Sequence, residues 1–457
     1  MINFNSLPAP LPQDIESYMI SGEWDTAREM IRERLKLDLP RMLRDRLLAA
    51  NFFMGRLSSF YPLTEAALLD EIRKLIPDYS EDDLARLRGL GWLDSKLIRG
   101  QRMYHEDLAA SLLKANPEFA QRAGKPLSPH RPLLDEIVSH LKSNGQLRMK
   151  MELSSTLRIK DDHFKPGTAY RVHLPMPSPA PQQRQVQLTD IHPNPRHIAR
   201  ESAPQRTAYF EETLHENASF KISSSYVQAL YYCDPVNDPS PRVLYPDAKA
   251  PVREDLEPQA PHILFTPYLT SLCKELIGDE IVPVRQAKRF YDFITGKVLY
   301  SYVRPYQLIE NGAEYAAVNL RGDCGLQALL FITLCRIAGI PACWQSGLYA
   351  APGDEGSHDW AWFYTEAWGW LPADPSFGGA GRRGGNEERR EFYFGNLDPY
   401  RAVFNHQYMG DFQPGRAFPR NDPYDNQSGE VETGEGPLHY GQYRTRHEVK
   451  VTWLPIE

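Results

Sequence analysis

An α+β chain built from several domains is predicted from three features of the sequence. Helical periodicity dominates residues 13 to about 125, the apolar spacing switches to alternation near Leu147, and a Pro- and Asp-rich stretch at 234–262 precedes a segment that mixes both patterns. At 457 residues the chain exceeds the size at which one core usually stops growing, so two or three domains are expected. The expected boundaries are a helical domain over 1–127, an antiparallel β-sandwich-like domain over 128–235, a Pro-rich linker over 236–262 and an α+β domain over 263–457.

In the first region Ala27, Met30, Ile31 and Leu35 form one helical stripe and Leu43, Leu47 and Ala50 another. Ser80 caps a helix carrying Leu84 and Leu87, with Asp83 in the capping-box position. Residues 91–104 are too Gly-punctuated for a helix and read as a small hairpin. None of these residues carries chemistry, so this region is expected to brace or recognise something. From Leu147 onward, Leu147, Met149, Met151 and Leu153 alternate with polar residues, as do Tyr170, Val172 and Leu174, then Val186 and Leu188, then Phe220 and Ile222. Short alternating runs separated by Pro and Gly predict an antiparallel sheet or sandwich.

Beyond the linker, Thr266-Pro267 starts a helix with Leu269, Leu272, Cys273 and Leu276 on one side, and Pro283 starts another with Val284, Ala287, Phe290, Tyr291 and Ile294. A third helix, apolar on nearly every face, opens at Cys324. Asp323 can cap it, Gly339 can stop it in the left-handed conformation, and Pro341 forbids its continuation. A thiol at a helix start meets unpaired backbone N–H groups and the positive end of the helix dipole, which favour thiolate, and the same N–H groups point where an oxyanion would form. Downstream, Ser357–Thr365 and Gly369–Asp374 read as a hairpin turning near Ala367 and Trp368, so Asp374 lies across from residue 360 or 361, one diagonal step from His358. Cys324, His358 and Asp374 therefore have the order and settings that a nucleophile, its base and the base's orienter require. On that picture Cys324 titrates below about 8.5 and His358 above about 6.5.

These residues resemble a known family. Gly322-Asp-Cys-Gly325, Arg336-Ile-Ala-Gly-Ile-Pro-Ala342, Gln345-Ser-Gly347, His358-Asp-Trp360 and Gly369-Trp-Leu-Pro-Ala-Asp-Pro-Ser-Phe-Gly378 look like the core of the bacterial transglutaminase-like superfamily, over about residues 260–430. The resemblance implies a papain-like α+β core in which Cys324 is the nucleophile, His358 the base and Asp374 the orienter. Members include transglutaminases, proteases, amidases and catalytically dead scaffolds. Tyr170–Pro175 and Gln183–Val186 resemble the β-domain that often precedes this core. A Tyr before the catalytic helix is frequent in the superfamily as a second oxyanion donor, and Tyr300, Tyr302 and Gln307 are all candidates.

The remaining features bound the function. A net charge of −7 argues against a non-specific nucleic-acid binder. The first ten residues lack a basic start and an apolar run of signal length, and no stretch is long and apolar enough for a membrane span, so a cytoplasmic protein with no membrane partner is expected. Five scattered cysteines suggest neither a disulfide frame nor zinc, and Cys273, Cys335 and Cys343 read as structural. His192 and His197 lack a third ligand and read as loop residues, so no metal and no cofactor are expected. The expected activity is a cysteine-dependent hydrolase or acyl transferase acting on peptide or glutamine-type amides through a thioester, with a peptide or protein substrate as partner. The alternative is a non-catalytic binding or assembly protein that keeps the fold. Finally, the Gly- and charge-rich stretch 378–391 is expected to be a mobile loop at the cleft edge, either a lid or a solvated excursion.

Overall fold

The computed structural model describes residues 3–238 and 240–456. Its N-terminal part is helical: α1 (Gln13–Ser21), α2 (Trp24–Arg34), α3 (Arg41–Phe60), α4 (Glu65–Arg73) and α5 (Glu81–Gly89) precede the hairpin β1 (Ser95–Ile98) and β2 (Gln101–Tyr104), then α6 (Leu108–Ala115), α7 (Pro117–Arg122) and α8 (Pro132–Asn144). The capping box at Ser80 and Asp83 forms, and Ala27, Ile31, Leu47 and Ala50 meet in one core while Leu84 and Leu87 join a second. The hairpin lies where the Gly punctuation put it.

The β region consists of β3 (Gln146–Ile159), β4 (Thr168–Pro175), β5 (Gln183–His192), β6 (His197–Ile198), β7 (Thr207–Leu214) and β8 (Phe220–Tyr231). Two four-stranded antiparallel sheets enclose a core of Leu157, Tyr170, Val172, Phe210, Phe220 and Ile222, as alternation requires of a sandwich.

The C-terminal part contains α9 (Pro267–Ile277), α10 (Pro283–Lys297), β9 (Leu299–Tyr300), α11 (Gly312–Asn319), β10 (Arg321–Gly322), α12 (Cys324–Ile337), β11 (Ala342–Ala351), β12 (Asp354–Thr365), β13 (Gly369–Ala373), α13 (Pro375–Arg383), α14 (Glu387–Phe392), β14 (Arg401–Asn405), β15 (Glu430–Glu432) and β16 (Tyr443–Trp453). Strands run in the order β13-β12-β11-β14, all antiparallel. Every residue of α12 from Gly325 to Arg336 is buried, which explains its lack of a polar face. The ring of Phe331 on α12 meets Phe363 of β12 edge-on at 5.7 Å, so α12 lies on the face of β12 that carries Phe363. On the opposite face Gln182, Gln183 and Gln228 carry hydrogen bonds from the sandwich to Gln345, Val403 and the Arg401 carbonyl.

Three expectations need correction. Residues 430–453, assigned to the C-terminal domain, instead return to the sandwich: β15 pairs with β4 and β16 with β3. The described residues of 236–262 are not a free tether. Tyr245 packs edge-on against Trp362 at 5.4 Å, Trp370 Nε1 donates to the Lys249 carbonyl, Arg336 Nη1 donates to the Glu257 carbonyl, and His262 is fully buried. Side chains of the C-terminal part satisfy this extended backbone, which composition alone does not reveal.

The third correction concerns 378–391, which is no mobile loop but the helical pair α13 and α14. Two of its charges serve as tertiary partners: Arg389 and Arg390 are buried, the first bonded to the Pro129 carbonyl and the second to Thr295 and Asp292. Its glycines permit close approach. A Cβ on Gly378 would stand 1.8 Å from the Tyr291 hydroxyl, which itself donates to the Arg390 carbonyl at 2.6 Å.

Candidate active site

The chain enters α12 through β10, which pairs in parallel with β9 and sets Gly322 beside Tyr300. Asp323 then caps the helix, its Oδ1 accepting from the Leu326 N–H at 3.1 Å and from the Tyr306 hydroxyl at 2.6 Å. Cys324 is thereby fixed at the first helical position, as the sequence predicts, and Gly339 beyond the helix takes the left-handed conformation at φ 78°.

The hairpin also follows the expected register. Ala373 pairs with Ala361, so Asp374 lies level with Trp360, and the His358 Nε2 to Asp374 Oδ2 distance is 2.7 Å. Both are buried, at 4% and 0% exposure. Burial lowers the pKa of His358, opposed by the Asp374 charge, and burial pushes Asp374 up but His358 and Arg401 outweigh it and hold the carboxyl low.

The thiol, however, does not meet the imidazole. Cys324 Sγ donates to Asp359 Oδ2 at 3.2 Å, and among the described residues no hydrogen bond joins Cys324 to His358. Strand alternation is the reason. His358 lies opposite Gly347 and Asp359 opposite Ser346, so the two consecutive residues point to opposite faces, and the face shared by Asp359 and Phe363 is the one that α12 covers.

Electrostatics around the sulfur run against the expected ion pair. Burial, then the charges of Asp359 and Asp323, push the Cys324 thiol well up. Burial and the neighbouring Asp323 raise Asp359 to about 7, and burial raises Asp323 to about 6. Behind Asp359, Gln427 Nε2 donates to its Oδ1 at 2.6 Å and to the His358 carbonyl at 3.1 Å, and Asp425 is raised well above the carboxylate range by burial and by Asp359. The helix end is thus outweighed by desolvation and two carboxyl groups, and the thiol form is favoured.

Asp359, Gln427 and Arg401 are residues that sequence reasoning missed. Arg401 is fully buried, with Nη2 3.0 Å from Asp374 Oδ2 and 2.9 Å from Asp398 Oδ2, and its guanidinium carbon lies 4.0 Å from the centre of the Phe377 ring. Of the three oxyanion candidates, Gln307 is committed elsewhere, its Nε2 donating to the Asn421 carbonyl. Tyr300 is close enough to Cys324 that, after burial, the sulfur's charge contributes to raising its hydroxyl.

Residues 270–375, which span α12, the His358 strand and Asp374, match the model of the transglutaminase-like superfamily. The chain carries a transglutaminase-like domain. Among solved structures it is similar to a candidate cysteine protease from Cytophaga hutchinsonii, at 15% identity and a TM-score of 0.43, covering 68% of this chain and 92% of that one. It is also similar to the periplasmic domain of TgpA from Pseudomonas aeruginosa, at 15% identity and a TM-score of 0.28, covering 55% and 95%. A candidate protease from Parabacteroides distasonis follows at 10% identity and 0.21, covering 51% and 60%. No protein of curated function matches the chain. Among the described residues no helix is long and apolar enough to cross a membrane.

Proposed function

We propose that this chain is a cysteine-dependent hydrolase or acyl transferase that cleaves peptide or glutamine-type amides through a thioester on Cys324, hydrolysis being slightly favoured over transamidation. One observation carries the reading: a thiol at the first position of a buried, capped helix lies against the strand that bears a His358–Asp374 pair bonded at 2.7 Å. In the reaction His358 accepts the thiol proton, the sulfur attacks the amide carbonyl, and the imidazolium returns the proton to the departing amine. Water or an amine then releases the acyl group. Asp374 fixes the imidazole, and backbone N–H groups at the start of α12 face the developing oxyanion. The resting arrangement, with sulfur on Asp359, requires the thiol to leave that carboxyl before it can meet His358. Five unpaired cysteines support a reducing, cytoplasmic setting.

A second reading, a non-catalytic binding or assembly protein, is favoured by that same Cys324–Asp359 contact and by the raised thiol. Intact-protein mass spectrometry after treatment with an amide-directed thiol probe separates the two. Catalysis predicts an adduct on Cys324 that His358→Ala suppresses; no adduct, or an equal one in His358→Ala, favours the binding protein.

A further inference from the structure

The sheet of the transglutaminase-like domain has an unfilled edge. β11 pairs with β12 along its whole length but with β14 only from Ser346 to Tyr349, because β14 diverges after Asn405: Asn405 bridges to Gln205, and the His406 N–H donates to the Pro204 carbonyl. Between 343–345 and 406–408 a wedge opens, walled on its third side by residues 245–259, with a cavity volume of about 1030 Å³. Cys324, His358 and Asp374 do not line it.

The direction of the backbone groups on this edge is fixed by two bonds. The Tyr364 N–H donates to the Pro341 carbonyl and the Ala350 N–H to the Tyr400 carbonyl, so odd-numbered residues of β11 bond to β12 and even-numbered ones turn to the other side. Of the two even residues on the uncovered stretch, Ala342 gives its carbonyl to Arg336 Nε at 2.9 Å. Trp344 turns both its N–H and its C=O into the wedge. Trp344 and Tyr408 both line the wedge, and the two residues are 3% and 2% exposed. The Trp344 N–H and C=O, on a stretch of edge that no strand covers, are the groups that an added strand would pair with. Trp362 and Trp370 supply apolar wall, and among the lining residues the carboxyl groups of Glu201, Asp247, Glu254, Asp255 and Glu257 outnumber the cations Arg184, Lys249 and Arg336.

The geometry points to a binding site for an extended peptide that adds as a strand beside Trp344, placing alternate side chains against the tryptophan wall and carrying Lys or Arg toward the 254–257 carboxylates. A strand edge offers one N–H and one C=O per two residues, a spacing that an extended backbone matches. Trp344 lies two residues, about 7 Å, along β11 from Ser346, the residue opposite Asp359. The groove can therefore hold a peptide beside the thiol without involving it.

The full chain carrying Cys324→Ala is the material for the test, so that binding is read apart from any activity at the thiol. Acetylated, amidated heptapeptides alternating Val or Leu with Lys or Arg are titrated, followed by tryptophan fluorescence and by hydrogen exchange across 342–346. Saturable binding is expected, with slowed exchange of the Trp344 amide and weaker binding to Glu254→Lys. N-methylation of one alternate set of peptide amides should weaken binding about tenfold, and methylation of the other set should not. No saturable binding by any peptide, binding without protection at Trp344, or equal loss from both methylated sets would overturn the assignment. Failure of the wild-type chain to cleave amides would leave it intact.

Discussion

Replacing Arg401 with Met tests the charge arrangement behind the His358–Asp374 pair. The guanidinium is fully buried and bridges Asp374 and Asp398, which are 0% and 1% exposed. Breaking a buried ion pair from one side costs about 3–5 kcal/mol because a carboxylate is left without its counter-charge. Two carboxylates are stranded here, but Arg401 Nε and Nη1 have no hydrogen-bond partners, so the native arrangement already bears a desolvation cost of about 1–3 kcal/mol that Met would relieve. The net expected loss is about 3 kcal/mol, roughly a hundredfold in the folding equilibrium. Urea unfolding at pH 7, followed by tryptophan fluorescence, measures it, and Asp398→Asn in the Met background should recover part of the loss. His358 supplies a second readout: Arg401 opposes its protonation, so in Arg401→Met the imidazole titration followed by NMR moves to higher pH. A stability change under about 1 kcal/mol together with an unmoved His358 would refute the argument.

The thiol's surroundings predict a pH dependence. A carboxyl raised in the folded state holds its proton after the unfolded chain has lost it, so Asp359, at about 7, makes stability fall as pH rises from about 4 to 7, by at most about 4 kcal/mol. Asp359→Asn should flatten this slope and, by removing a charge beside the sulfur, speed alkylation of Cys324 by iodoacetamide at pH 7.5; an unchanged slope and rate would show that the carboxyl does not face the thiol. In Gly378→Ala the new methyl collides with Tyr291 and should cost about 1–3 kcal/mol, and native-state hydrogen exchange should find 375–392 protected. A neutral substitution with rapid exchange there would restore a mobile loop.

Local chemistry made much of this site legible. The cap at Asp323, the helix start at Cys324 and the reach from His358 to Asp374 follow from capping rules and from counting residues around one turn. Which of two consecutive strand residues meets α12 does not. Alternation says that His358 and Asp359 face apart, but only the tertiary placement of α12 decides which of them touches the sulfur. Arg401 and Asp398 are not legible in the sequence because charged residues read as surface until a partner is seen, and their partners lie in a helix cap and on a neighbouring strand. The Gly- and Arg-rich segment is deceptive for a similar reason: its composition predicts exposure, whereas Arg389 and Arg390 are buried against α8, α10 and their flanks. β16 is hard to read from the sequence because Arg444, Arg446, Glu448 and Lys450 break up the apolar run, as befits a strand at a sheet edge.

The pairing of β15 with β4 and of β16 with β3 has a consequence in time. As the chain leaves the ribosome, β3 to β8 emerge early, yet one outer strand of each sandwich sheet arrives only after the whole thiol-bearing region between residues 267 and 405 has been made. Until then β3 and β4 each present an unclosed edge, the kind of surface on which nascent chains pair wrongly. β15 and β16 close over β4 and β3 only once that intervening region exists, and a chain cut short before Tyr443 would leave β3 open for as long as it survived.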